Sequence, residues 1–198
     1  MSHRFTLLSF IILSALIIAF GISGCGEEEE VGPTAEEITN EGWALYTARD
    51  YAGALAKFDE AVSEDSAYVD AYVGMGWSYG KMTQLADCIS SFQTALAKDA
   101  QNQDALAGIA LAHLANDEYD QAIANANQVL AINPNYSFAH GNVTGKNLHI
   151  LLAESYYYKG NFEDAQSQVD ILNPGNGLNP ADEDYLAGLL KEIEKASG

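Results

Sequence analysis

The sequence predicts an all-α fold in which helix pairs stack into a solenoid that a C-terminal helix caps. A pattern of small and large residues recurs every 34 positions, without gaps, over three copies. The composition, 48% hydrophobic and 19% charged with 17 glycines and 4 prolines, excludes a collagen-like or disordered chain. A chain of 198 residues has room for one domain or one short array of repeats, and not for a second, catalytic domain.

Residues 1–24 are predicted to be a cleaved signal peptide. Arg4 precedes an uncharged apolar stretch, residues 5–20, which is typical of secretory signals. A permanent transmembrane helix is the alternative, since the apolar region is nearly long enough to span a bilayer. The region ends in Ile22-Ser23-Gly24-Cys25, which resembles the lipobox of bacterial lipoproteins. This resemblance implies cleavage before Cys25 and acylation of that cysteine, whereas an ordinary signal peptide with a chance cysteine is the competing interpretation.

Residues 25–34 are predicted to be an acidic tether behind the lipidated cysteine. Four adjacent glutamates, Glu27 to Glu30, followed by glycine and proline cannot bury apolar surface and should stay extended. Gly26 stands where enteric lipoproteins carry the Asp of the inner-membrane retention signal. The resemblance therefore implies an outer-membrane lipoprotein, with its periplasmic face favoured. The acidic run also resembles a surface-export signal of some lipoproteins, and a solvated linker explains it equally well.

A repeat register divides residues 35–179 into four copies and one insertion. The copies span residues 35–68, 69–102, 103–136 and 146–179, and the insertion spans residues 137–145. Position eight of the register is small, because two helices cross there, and position twenty-four is mostly aromatic. These positions are Gly42, Gly76 and Ala110, and then Phe58, Phe92 and Ala126. Residues 180–198 form the predicted cap, with apolar residues at helical spacing from Asp182 to Ala196.

This pattern resembles the tetratricopeptide repeat (TPR). The residues that carry the resemblance are Gly42, Leu45, Tyr51, Ala54, Phe58, Ala61, Gly76, Tyr79, Leu85, Phe92, Ala95, Ala110, Tyr119, Ala122 and Pro134. The sequence departs from the family at position four, where Ile38, Tyr72, Leu106 and His149 replace Trp. The resemblance implies antiparallel helix pairs that bury their apolar stripes only by stacking. It also implies a right-handed superhelix whose concave side is lined by the first helix of each pair.

An apolar, aromatic groove is expected on that concave side. The residues expected to line it are Trp43, Tyr46, Val73, Trp77, Leu111, Leu114, Ile150, Tyr157 and Tyr158. An acidic margin of Glu36, Asp70 and Asp104 accompanies the groove, and Lys81 is the one basic residue among the groove positions. We expect the groove to bind a segment of another protein, with both tryptophans as anchors and with Lys or Arg nearby in the partner. In the alternative, the inserted loop, the cap or a second copy fills the groove.

The sequence indicates neither an enzyme nor a cofactor or metal site. It contains no phosphate loop, dinucleotide fingerprint or serine elbow, and its histidines lack the spacing of a helical zinc motif. Cys88 falls at a helix-crossing position, where a thiol behaves as a buried apolar group. The formal net charge of −19 repels phosphate backbones, which excludes nucleic acid as an expected partner.

The function expected from the sequence is therefore that of a lipid-anchored scaffold for protein–protein interactions in the bacterial cell envelope. Attachment to the membrane would depend on Cys25, and the partner would be another envelope protein. The alternative is a carrier that holds a hydrophobic small molecule, lipid or glycan in the same groove.

Overall fold

The computed structural model describes residues 32–198, and their regular elements are nine α-helices. The helices are α1 (Ala35–Thr47), α2 (Tyr51–Glu64), α3 (Val69–Lys81), α4 (Leu85–Lys98), α5 (Gln103–Ala115), α6 (Tyr119–Ile132), α7 (Gly145–Tyr158), α8 (Phe162–Leu172) and α9 (Tyr185–Ser197). Among these residues no helix is both long and apolar enough to cross a bilayer. The predicted signal peptide, lipidated Cys25 and acidic run Glu27 to Glu30 lie outside the described residues.

The helices pack as successive pairs, and the pairs stack. Each first helix contacts its own second helix, and each second helix also contacts the first helix of the following pair. The first helices α1, α3, α5 and α7 contact one another in order, whereas α2, α4 and α6 contact only first helices. Because the first helices approach more closely, they lie on the inner, concave side. The prediction of an all-α solenoid is confirmed.

Phenylalanine rings of the second helices are wedged against glycines of the first helices. A Cβ built on Gly42 would lie 2.5 Å from Phe58 Cε1, and one built on Gly74 would lie 2.3 Å from Phe58 Cζ. Phe92 repeats the arrangement one copy later, against Gly76 and Gly108. The sequence repeats this small-and-large pairing because only glycine leaves room for the ring at such a close helix crossing.

The turn inside each pair requires a left-handed residue at the same register position. Arg49, Thr83 and Asp117 have φ of 66°, 59° and 58°, and Gly160 has φ of 79° at the equivalent place in the fourth pair. Glycine adopts this conformation readily, whereas a β-branched residue such as threonine rarely does. Three of the four copies therefore hold this turn with a non-glycine residue.

The C-terminal helix covers the open end of the last pair. α9 contacts α7 and α8, and its Leu189 and Ile193 join Ala153, Ala165 and Val169 in a buried cluster. The helix begins at Tyr185 rather than at Asp182, because residues 173–184 form turns in which side-chain and backbone hydrogen bonds replace helical ones. In the fourth copy α7 begins at Gly145, one residue before the register start, where the Thr144 N–H donates to Asn147 Oδ1 at 2.9 Å.

Candidate interaction groove

The two tryptophans lie on the concave side, one on α1 and one on α3, and the chain's own inserted loop covers them. Phe138 stacks on Trp77 with ring centroids 4.3 Å apart and ring planes 16° apart, and it meets Trp43 edge-on at 5.8 Å. The His140 ring lies on Trp43 at 4.0 Å, nearly parallel to it. Trp43 and Trp77 are consequently only 4% and 6% exposed.

This arrangement changes how the expected groove residues must be understood. Trp43, Tyr46 and Trp77 contact the inserted loop instead of presenting open rings to a partner, and Val73 is fully buried in the core. Of the alternatives left open by the sequence, occupation by the inserted loop is the one the structure contains. The physical reason is that the connection from α6 to α7 is long enough to turn back over α3 and α1.

The other expected groove residues form two groups, the aliphatic residues of α5 and α7 and the two tyrosines at the end of α7. Leu111 and Leu114 on α5 are half-buried beside the core, and Ile150 on α7 is buried. Tyr157 turns toward the C-terminal end of the array, where it packs on Phe162 and its hydroxyl donates to the Leu186 carbonyl at 3.4 Å.

Tyr158 is 61% exposed and stacks on Tyr119 of α6 at 5.6 Å. The expected aromatic strip is therefore not continuous, because the tyrosines of the fourth copy pair with α6, α8 and α9 rather than with the tryptophans.

Two carboxylates of the acidic margin accept hydrogen bonds from aromatic side chains, one on α1 and one beside the inserted loop. Trp43 Nε1 donates to Asp70 Oδ2 at 2.8 Å, and the Tyr136 hydroxyl donates to Asp104 Oδ1 at 2.8 Å. Burial raises the pKa of the Asp104 carboxyl, while the hydrogen bond from Tyr136 acts in the opposite direction. Glu36 of the same margin is exposed. Asp70 and Asp104 thus bind side chains of this chain itself, Trp43 and Tyr136.

Sequence reasoning missed Tyr136, Phe138 and His140 as groove residues. The signal was present, since three aromatic or imidazole rings within five residues are unusual in a surface connection. The position of these side chains could not be predicted from the sequence, because it depends on contacts with α1 and α3, which are distant along the chain. The sequence left the inserted loop as one of three alternatives for filling the groove, without indicating which of its side chains would do so.

An open apolar pocket adjoins Trp77, one of the two covered tryptophans. Its volume is about 180 Å³, and it lies between the C-terminal halves of α3 and α5, with α4 beneath. The lining residues are Gly76, Trp77, Gly80, Lys81, Leu85, Cys88, Phe92, Gly108, Leu111, Ala112 and Ala115. Lys81 and Ala115 are exposed at its rim. Burial raises the pKa of the Cys88 thiol to about 11, so this thiol stays protonated and inert at neutral pH.

Two buried hydrogen-bond donors of the groove lack acceptors. Neither Tyr46 Oη nor Trp77 Nε1 has a hydrogen-bond partner among the described residues. Both side chains are more than nine-tenths buried, and both are in ring contact with Phe138. The rings under the inserted loop therefore carry two donors whose hydrogen bonds the described residues do not satisfy.

The histidines of the described chain have structural neighbours. His113 Nδ1 pairs with Glu118 across the turn between α5 and α6, and His149 Nδ1 lies 2.8 Å from Gln168 Oε1. No cluster of three or more His, Cys, Asp or Glu side chains within residues 32–198 could hold a metal ion.

The fold described above is an all-α solenoid of stacked helix pairs. Residues 73–137 match the family model described as tetratricopeptide repeat. The crystal structure of MamA is 18% identical to this chain with a TM-score of 0.59, covering 82% of this chain and 80% of that chain. That of PilW, a widely conserved type IV pilus biogenesis factor, is 18% identical with a TM-score of 0.61, covering 83% and 68%.

A third solved structure, the first TPR of Spaghetti (RPAP3) bound to the HSP90 peptide SRMEEVD, is 15% identical with a TM-score of 0.51. It covers 68% of this chain and 94% of that one. No curated protein matches the sequence significantly. At these identities the similarity shows the fold.

Proposed function

We propose that this protein is a lipid-anchored scaffold that binds another protein of the bacterial cell envelope on its concave side. One apolar side chain of the partner enters the pocket beside Trp77. The observation that carries the proposal is this open apolar pocket on the inner surface of a helical-repeat solenoid. Pockets that accept a single anchoring side chain are typical of the centres of protein interfaces.

The size of the pocket favours a protein side chain over a lipid. A cavity of about 150 Å³ accommodates a molecule the size of benzene, and this pocket measures about 180 Å³. It can therefore take one leucine or phenylalanine side chain, whereas a long acyl chain needs several times that volume. This argument weighs against the alternative function as a carrier of lipid in the same groove.

Charge defines the partner further. The chain has a formal net charge of −19, and Asp70 and Asp104 lie on the concave side near the loop. Opposite charges across an interface speed association and exclude wrong partners. The partner segment should therefore carry Lys or Arg near its apolar anchor.

One similarity supports the binding of a peptide, and a second supports the cellular setting. The RPAP3 repeat domain binds a peptide, and PilW is a pilus biogenesis factor. The lipobox-like residues Ile22 to Cys25 support acylation, and two or more acyl chains anchor a protein stably, since each buried CH₂ contributes about 0.8 kcal/mol. Together these features favour a periplasm-facing scaffold on the outer membrane.

Site-specific crosslinking tests the binding site. A photoreactive phenylalanine analogue replaces Ala115 at the pocket rim or, as the matched control, exposed Ala124 on α6. The full chain is produced in its native host, and crosslinked proteins are identified by mass spectrometry. The proposal requires one defined protein that crosslinks at position 115 and not at position 124.

The identified protein is then purified and titrated against the wild type and against Ala115→Trp and Ala124→Trp. Filling the pocket should weaken binding about tenfold or more, whereas the α6 control should bind as the wild type does. Equal affinities for all three proteins would remove the pocket from the interface.

Membrane attachment is tested separately with Cys25→Ser. The wild type should sediment with membranes and yield an acylated N-terminal peptide that begins at Cys25. The variant should appear in the soluble fraction or retain its signal segment. A wild-type protein recovered without acyl groups contradicts the anchor.

A further inference from the structure

The inserted loop is attached to the concave surface by side chains, not by its backbone. Its internal backbone hydrogen bonds run from Phe138 N–H to the Val143 carbonyl and from Gly145 N–H to the Tyr136 carbonyl, both at 2.8 Å. Within the described chain, none of its backbone hydrogen bonds reaches α1 or α3. Its residues Ser137, Ala139, Gly141 and Asn142 are exposed. The loop can therefore leave the surface without breaking any helix.

Two side chains of the loop fit the two tryptophans in register. Phe138 stacks on Trp77, and His140, two residues later, stacks on Trp43. Residues 138–141 form a turn, in which the Gly141 N–H donates to the Phe138 carbonyl at 3.4 Å, and this turn brings both rings onto the tryptophans. The groove is therefore shaped for a turn that carries a ring and, two positions later, a second ring or a flat cation.

The loop leaves part of the groove's recognition capacity unused. The rings of Tyr46 and Trp77 both contact Phe138, and their donors, Tyr46 Oη and Trp77 Nε1, have no acceptor among the described residues. A buried donor without an acceptor destabilises the closed state. A segment of similar shape that brings carbonyl or carboxylate oxygens to these donors would bind better than the loop does.

The charges beside His140 favour a cation at that position. Asp104, with Asp70 nearby, lies close enough to His140 for its carboxyl to be influenced by the imidazole. A guanidinium or ammonium group over Trp43 would gain both from the indole face and from these carboxylates.

We propose that the inserted loop is a self-ligand of the groove, and that a partner segment of the same chemistry displaces it. That segment carries an aromatic residue in the place of Phe138 and, two positions later, arginine, lysine or histidine in the place of His140. This inference rests on the proposed function, because it names the part of the partner that would bind beside the pocket. The loop thereby keeps the groove closed until such a segment is present.

A peptide tests this inference in solution. The probe is a synthetic peptide of residues 135–144, and the proteins are the full-length wild type and the variant Phe138→Ala/His140→Ala, which empties the groove. Binding is followed by tryptophan fluorescence, since Trp43 and Trp77 are the two tryptophans of the chain. The matched control peptide carries alanine at the phenylalanine.

The emptied variant should bind the loop peptide, and the control peptide should bind about thirtyfold more weakly because it lacks the aromatic anchor. The wild type should bind neither peptide measurably. Equal binding of both peptides to the emptied variant, or of the loop peptide to both proteins, overturns the inference.

Hydrogen exchange on the wild type provides a test that does not depend on how the variant folds. If the loop is displaceable, the amides of Phe138 and Gly145 should exchange through a local opening that is independent of denaturant. The amides at the centre of α3 should exchange only by global unfolding. Exchange of the loop amides only together with α3 would make the loop a fixed part of the core and end the inference.

The outcomes separate this inference from the proposed function. Crosslinking at position 115 together with a loop that never opens would assign the partner to the pocket alone. Peptide binding to the emptied variant without any crosslinked protein would leave the self-ligand intact and contradict the scaffold role.

Discussion

Replacing Gly108 by alanine should destabilise the protein, although alanine is the better helix former. A Cβ at this position would lie 2.1 Å from Phe92 Cζ and 2.6 Å from Cε2, far inside ordinary carbon contact. The ring is 1% exposed, touches Gly76 on the other side and meets Trp77 edge-on at 5.7 Å, and the remaining space beside it is the pocket that it lines. The clash must therefore be relieved by moving the ring out of these contacts or by moving a helix.

The magnitude follows from two opposing contributions. Overpacking of a core costs about 1–3 kcal/mol, and this contact belongs at the upper end. Exchanging glycine for alanine inside a helix returns about 1 kcal/mol. The expected net loss is about 2 kcal/mol, equivalent to a fall in Tm of about 6 °C for a protein of this size.

Gly80→Ala on α3 is the matched control, and it should raise the free energy of unfolding instead of lowering it. Its Cβ would meet only Cys88 Sγ at 3.4 Å, so the helix-propensity gain of up to about 1 kcal/mol should be kept. Both variants are compared with the wild type by thermal and urea unfolding, followed by far-UV circular dichroism.

A double-variant cycle decides whether the ring is responsible. In a Phe92→Leu background the clash is reduced, so Gly108→Ala should cost much less than it does in the wild type. An equal cost in both backgrounds, or a Gly108→Ala protein as stable as Gly80→Ala, would refute the wedge of Phe92 between neighbouring pairs.

Three further predictions concern a turn, a carboxylate and the loop. Thr83→Gly should raise the free energy of unfolding by about 1 kcal/mol in urea titrations, because it removes a left-handed threonine. Burial raises the pKa of Asp104. The protonated carboxyl therefore stabilises the folded state fully below the pKa of the unfolded chain, and this stabilisation is lost as pH rises through the folded pKa. Lowering the pH from 7 toward 4 should therefore raise the Tm of the wild type relative to that of Asp104→Asn. Phe138→Ala should lower stability by about 3 kcal/mol or less and shift tryptophan emission to longer wavelength, since it uncovers Trp43 and Trp77.

The solenoid could be predicted from the sequence because its determinants are local and periodic. Glycine at one register position and phenylalanine sixteen residues later must recur together, since the ring of Phe58 or Phe92 lies against glycines of its own and the next pair. Helix starts were also encoded locally, as where the Asp50 carboxylate accepts the Gly53 N–H at 2.9 Å.

The groove could be predicted only in part. Trp43 and Trp77 were correctly expected on the first helices, but the packing of Phe138 on both depends on contacts of the loop between the third and fourth pairs with the first and second pairs. Periodicity contains no information about such contacts. The register predicted Tyr157 in the groove, whereas its side chain contacts Phe162 and the Leu186 carbonyl at the end of the array, where α9 packs. The repeat pattern contains no information about this terminal helix.

Covering the tryptophans affects both solubility and binding. An open aromatic groove would expose a large apolar patch, which favours aggregation, and the inserted loop removes that exposure at the cost of competing with any partner.

A tethered loop competes at an effective concentration on the order of millimolar, so a partner at about 1 μM must bind the open groove roughly a thousandfold more tightly than the free loop peptide does. That factor corresponds to about 4 kcal/mol. Acceptors for Tyr46 Oη and Trp77 Nε1 could supply it, since each unsatisfied buried donor costs about 1–3 kcal/mol. The free energy required of a true partner is thus similar in size to the cost of the two donors left without acceptors. Removing one of these donors by Tyr46→Phe should abolish part of the partner's advantage over the loop, while leaving the loop peptide's own affinity for the emptied variant unchanged.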